Sequence, residues 1–160
     1  MIVWIVLKAT TMHRIEKKVI INAPRSTVWD GLTNPASMQQ WMGTPKMRLQ
    51  IISSWKVAEP ILITGLLHGA FENKGTIVRF EPEHRLCYTH LSSSSRLPDE
   101  PQNYAVLCFE LADVATQTAV TLTVDHFPTE TIFKHLNFYW RTAMEVFKKF
   151  VEQQYAMGEA

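Results

Sequence analysis

Ile132, Leu136, Trp140, Ala143, Met144, Phe147 and Val151 recur at three- and four-residue steps near the end of the chain. With 3.6 residues per turn, that spacing gathers them into one apolar stripe on a long helix. The stripe must be covered. The chain before it offers two short helical stretches and then mostly alternating β segments, so the covering surface is a curved sheet. A sheet that wraps one helix can leave volume between the two, and a pocket there is the functional object to look for. No metal cluster, nucleophile elbow or phosphate loop accompanies it in the sequence.

At 160 residues the chain fits one domain, large enough to bury about two thirds of the surface its unfolded form exposes. Sixteen basic and fifteen acidic side chains leave a net charge of +1, and neither sign forms a long run. The field that draws nucleic acid or an anionic bilayer is missing, so no nucleic-acid partner is expected. Cys87 and Cys108 are the only cysteines. They are too few for a disulfide framework and lack the spacing of a zinc or redox motif, so they read as free thiols in a reducing, cytoplasmic setting. No cofactor and no metal are expected.

Met1 to Leu7 is almost wholly apolar, but it is about a third of the roughly 20 residues a membrane span requires. Lys8 follows the run, where a signal peptide would put its basic region first. Residues 1–13 are read as an extension, an added strand or arm, or the product of a start codon upstream of the natural one. Residues 14–155 are read as the single domain.

His13 to Asn22 mixes β-branched residues with charge and ends at Ala23-Pro24, a strand leading into a helix start. Arg25 to Leu32 places Val28, Trp29 and Leu32 on one face before Asn34-Pro35 breaks the helix. A second short helix follows from Ala36 to Trp41. From Met47 to Phe127 the period becomes two: Val78 and Phe80, then Leu86, Tyr88 and His90, then Leu107, Phe109 and Leu111, then Val120, Leu122 and Val124 each fall on one face. These are half-buried antiparallel strands. Ser92 to Asn103, rich in Ser, Pro and Asp, is the longest loop and can lie over a cavity mouth.

Particular residues sharpen this order. Val19 to Pro24 followed by Val28-Trp29, Leu32 to Pro35 and Trp41 form an opening block; Gly75 to Thr89, with Glu81-Pro82, Arg85-Leu86 and Tyr88-Thr89-His90, form a central strand pair. Leu107 to Leu111, Thr118 to His126, and Trp140, Met144, Phe147, Val151 and Glu152 complete the pattern. Together, from about Ile15 to Glu152, they resemble the activator of heat-shock-protein-90 ATPase homologue family of the START-like (SRPBCC) helix-grip superfamily. The resemblance implies an α+β helix-grip fold: a curved antiparallel sheet wrapped around a long C-terminal helix, with two short helices after the first strand. It also implies a broad functional range, since proteins of this fold bind apolar small molecules, a few catalyse, and a few stimulate a chaperone ATPase. Met1 to Met12 has no counterpart in the pattern, and Met144 and Phe147 stand where leucines are expected.

Trp41, Trp55, Phe71, Phe80, Tyr88, Phe109, Trp140 and Met144 are expected between sheet and helix, as core or as cavity wall, and His90 joins them by sharing a face with Leu86 and Tyr88. Burial would lower the pKa of the His90 ring and make it a neutral polar contact. His126, in phase with Val124, is the second inward candidate. Glu81 and Glu83 are assigned to a solvated turn, Asp99 and Glu100 to loop solubility, and the Ser92 to Ser95 run has no nucleophile context. Arg141, Glu145, Lys148, Lys149 and Glu152 are assigned to the solvated side of the last helix. The leading expectation is non-catalytic binding of an apolar or amphipathic small molecule by Trp41, Trp55, Phe71, Phe80, Tyr88, His90, Phe109, Trp140 and Met144. The alternatives are a chaperone-binding interaction module and a small cyclase, dehydratase or hydrolase using His90 or His126. A homodimer can form through the N-terminal extension or an open sheet edge.

Overall fold

The computed structural model describes residues 13–159, so the expected strand or arm over residues 1–13 lies, all but His13, outside the described residues. In β1 (Ile15–Ile21) the alternation buries Ile15, Val19 and Ile21 and turns Glu16 and Lys18 to solvent. Pro24 cannot extend the ladder, and it stands as the cap of α1 (Arg25–Thr33), which buries Val28, Trp29, Gly31 and Leu32. Asn34 ends α1 and starts α2 (Pro35–Trp41): its side chain accepts from the Ala36 N–H at 3.0 Å, and Pro35 takes the first helical position. The Trp41 indole N–H donates to the Gly31 carbonyl at 2.8 Å, which ties the two short helices together inside the core.

Six further strands follow: β2 (Gln50–Ser53), β3 (Pro60–Leu66), β4 (Ala70–Glu81), β5 (Arg85–Ser92), β6 (Ala105–Val114) and β7 (Gln117–Asp125). They form one antiparallel sheet in the order β1-β7-β6-β5-β4-β3-β2. The final helix, α3 (Glu130–Glu159), lays its stripe against this sheet and against the short helices, burying Leu136, Trp140, Ala143, Met144, Phe147 and Val151. Their sheet partners are Leu86, Tyr88, Leu107, Phe109, Leu111, Val120, Leu122 and Val124, the inward sets expected from period two. The α+β sheet-and-helix architecture is therefore the expected one.

The curvature has identifiable causes in β4. Gly75 passes so close to β5 that the Thr89 hydroxyl, not a carbonyl, accepts from the neighbouring Thr76 N–H at 2.9 Å. Two residues on, the β4–β5 register shifts between Ile77 and Arg79. Such a bulge sharpens the local bend and flips the side-chain phase. It also corrects the expectation that Val78 and Phe80 share a face: Ile77 is buried, Val78 is 45% exposed, and Phe80 turns back inward.

The outer face corrects a second expectation. Cys87 stands directly opposite Cys108 in the β5–β6 ladder, with Cα atoms 4.1 Å apart, and the two form a disulfide. They alternate with the inward Leu86, Tyr88, Leu107 and Phe109 along their strands, and they are not the free thiols expected. Register placed them side by side, and register is the quantity that a single strand's pattern does not contain. At the end of β1, Glu152 accepts from the Asn22 N–H at 2.8 Å, so this side chain joins helix to strand instead of simply facing water.

Candidate functional site

In β3, β4 and β5, Ile63, Asn73 and Ser92 fall in one cross-strand row, and Tyr88 pairs with Leu107 on β6 in the next part of the same face. Period two then puts Phe71 beside Asn73, and Tyr88, His90 and Ser92 in one line along β5. The first half of α3 crosses this surface with His135, Leu136, Tyr139 and Trp140. Met42, Met47 and Leu49, from the segment between α2 and β2, close a third side. The space between these walls is a cavity of about 270 Å³.

Most of the lining is apolar, and the polar groups cluster toward one end of β5: Asn73, His90, Ser92, Ser94 from the following loop, and His135. Among the described residues no lysine, arginine, aspartate or glutamate lines it. The buried Oδ1 of Asn73 has no hydrogen-bond partner. Burial and the neighbouring His135 hold the His90 pKa down to about 4, so its ring is neutral near pH 7. Tyr88, sealed in the wall, has its phenol pushed above the ordinary tyrosine range by burial. Tyr139 is shifted the same way for the same reason, and its hydroxyl donates to the Met42 carbonyl at 2.7 Å, joining α3 to the segment after α2.

The loop from Ser92 to Asn103 is fastened at this rim. The Ser93 hydroxyl accepts from the Glu72 N–H at 2.9 Å. Asp99 pairs with Lys74 and accepts from the Tyr104 hydroxyl, contacts that hold its carboxyl below the usual range. Asp99 is thus a loop fastener, where solubility alone was expected of it.

Of the nine residues singled out from sequence, the cavity brings together Phe71, Tyr88, His90 and Trp140. Trp41, Phe109 and Met144 are buried in the close-packed interior, where Trp41 meets Phe147 at 4.7 Å between ring centres and Phe109 meets Trp140 edge-on at 5.6 Å. Phe80 packs on Trp29 at 5.3 Å and on Trp55 at 6.0 Å, away from the cavity lining. His126 corrects the expectation that it faces inward. β7 ends at Asp125, and a left-handed backbone (φ 63°) turns His126 out to solvent. Sequence reasoning missed Asn73, Ser92, Ser94, His135 and Tyr139 as wall residues. The one available signal was phase: Asn73 is two residues from Phe71, and Ser92 two from His90.

A family model described as Activator of Hsp90 ATPase homolog 1-like protein matches residues 22–152. Among solved structures, a protein of Cytophaga hutchinsonii is 34% identical, with a TM-score of 0.75 over 90% of this chain and 97% of that one. The crystal structure of a Chromobacterium violaceum protein is 15% identical, with a TM-score of 0.75 over 87% of this chain and 96% of that one. The solution structure of the Aha1 dimer from Colwellia psychrerythraea is 19% identical, with a TM-score of 0.69 over 88% of this chain and 97% of that one. The last two speak for the fold alone. No curated protein matched the chain. No helix among the described residues is long and apolar enough to cross a membrane.

Proposed function

The chain belongs to the Activator of Hsp90 ATPase homolog 1-like protein family, and from that premise we propose that residues 14–155 act as one non-catalytic unit that binds an apolar or amphipathic small molecule between the sheet and α3. The observation that carries the reading is the 270 Å³ cavity with its mostly apolar lining. Its volume is just under the ~300–1,000 Å³ usual for small-molecule sites. A dry apolar cavity of about 150 Å³ holds benzene, so a guest with one or two rings fits and a long lipid chain does not. Burying the guest would contribute roughly 25 cal/mol per Å² of apolar area removed from water.

Thermal shift and native mass spectrometry against a panel of one- and two-ring apolar compounds test the proposal. A raised melting temperature with one guest bound per chain is the expected result. No stabilisation by any compound in the panel would overturn it.

A homodimer is a second reading, favoured by the open sheet, whose edge strands among the described residues are β1 and β2. The Aha1 of Colwellia psychrerythraea is a dimer. Sedimentation equilibrium decides this one. The cytoplasm is kept as the proposed setting.

A further inference from the structure

The polar end of the cavity constrains what the guest carries. Asn73 and Ser92 are cross-strand partners, His90 lies two residues before Ser92 on the same face, and all three line the cavity with His135 above them. The Asn73 side-chain oxygen is buried and has no donor. A buried acceptor left unpaired is destabilising by about 1–3 kcal/mol, and native structures retain few such groups. This oxygen exposes almost no surface to the cavity that Asn73 lines, so it meets a guest only once the amide turns about its Cβ–Cγ bond; a guest that brings an O–H or N–H there satisfies it.

Charge selects further. With no cationic side chain in the lining among the described residues, a carboxylate or phosphate would be buried without a counter-ion, which is far less favourable than burying a neutral hydroxyl. The neutral His90 ring supplies one donor and one acceptor and adds no net charge.

We infer that the cavity is selective for an uncharged hydrogen-bond donor, a phenol or alcohol on a compact apolar body, whose O–H is received by Asn73 beside His90 and Ser92. The inference rests on the small-molecule reading above and narrows it to a chemical class. Hydrocarbons of the same shape enter more weakly, and the corresponding carboxylates are refused.

The test is calorimetric titration of the full chain with three probes of one shape: 2-naphthol, naphthalene and 2-naphthoate. The expected result is that 2-naphthol binds at least tenfold tighter than naphthalene and that 2-naphthoate binds weakest. Asn73→Leu, with folding checked by its thermal melt, should bring the naphthol and naphthalene affinities together; Asn73→Ser should restore part of the preference. Equal binding of naphthol and naphthalene by the natural sequence would overturn the donor selectivity and leave the apolar-guest reading intact. Tightest binding of the naphthoate, or a preference that survives Asn73→Leu, would also overturn it. Binding of none of the three would remove both readings.

Discussion

A Cβ placed on Gly75 would lie 1.6 Å from the carbonyl oxygen of Thr89, so β4 and β5 approach at this point as only a glycine permits. The obstacle is backbone, held in a ladder on both sides, and it has nowhere to retreat. Gly65 presents the milder case: its added Cβ would meet the Phe71 ring at 2.9 Å and a Leu49 methyl at 2.8 Å, both ends of side chains that can turn aside.

Gly75→Ala should therefore destabilise the fold by more than the ~1–3 kcal/mol usual for overpacking, and Gly65→Ala by about 1 kcal/mol. Urea denaturation of the two variants checks the order. Because Phe71 lines the cavity, Gly65→Ala should also weaken guest binding, which Gly65→Ala melts with and without 2-naphthol would detect.

Stability should fall on acidification because of His90. Its folded pKa is about 4, below the ordinary 6.5, so between those values the unfolded chain binds the extra proton. The contribution is complete above about pH 6.5 and is lost as the pH drops toward 4, by up to about 3 kcal/mol. Burial is the main cause of the lowered pKa, and His135 from α3, which lines the same cavity, adds to it. Denaturant melts from pH 7.5 to 4.5 should show the slope, and His90→Gln should flatten it.

The Cys87–Cys108 bond closes a sequence separation of 21 residues. Constraining the unfolded chain over a loop of that length stabilises by about 3 kcal/mol. Melts with and without reductant should differ by that order, and the Cys87→Ala/Cys108→Ala pair should match the reduced protein. Alkylation of the thiols during cell lysis, read by mass spectrometry, reports which form exists in the cell.

Leu136 lies on the cavity side of α3 and is almost fully buried. Leu136→Trp should direct the larger ring into the space beside Trp140 and abolish guest binding, while the melting temperature changes little because a void is being filled. A variant that still gains a bound guest by native mass spectrometry would contradict the placement of the binding space.

The elements were legible in the sequence where burial is one-sided. Leu86-Tyr88, Leu107-Phe109-Leu111 and Val120-Leu122-Val124 each display period two, and the α3 stripe displays 3.6; the contrast with water is sharpest in β6 and α3, while in β5 Cys87 and Leu91 are buried on the other face as well. Position along a face was not legible. Trp41, Phe109 and Met144 have the correct phase yet pack where the sheet and helix close, and the cavity opens where β3 to β5 curve away under the start of α3. That curvature is set by Gly75 and the bulge before Arg79, neither of which alternation encodes. Asn73 and Ser92 escaped notice because polar residues on an inward face register as interruptions of the apolar pattern. The disulfide escaped for lack of register.

The cavity wall is assembled from side chains reaching in from a sheet and a helix whose own backbone bonds close elsewhere, with the Tyr139 hydroxyl on the Met42 carbonyl as a tie between two lining segments. Its panels are accordingly exchangeable. Phe71 and Ser92, which are only partly buried, can be swapped for other sizes and polarities without unstitching the ladders behind them, so one scaffold can be refitted to a new tenant by a few substitutions while its outline stays the same.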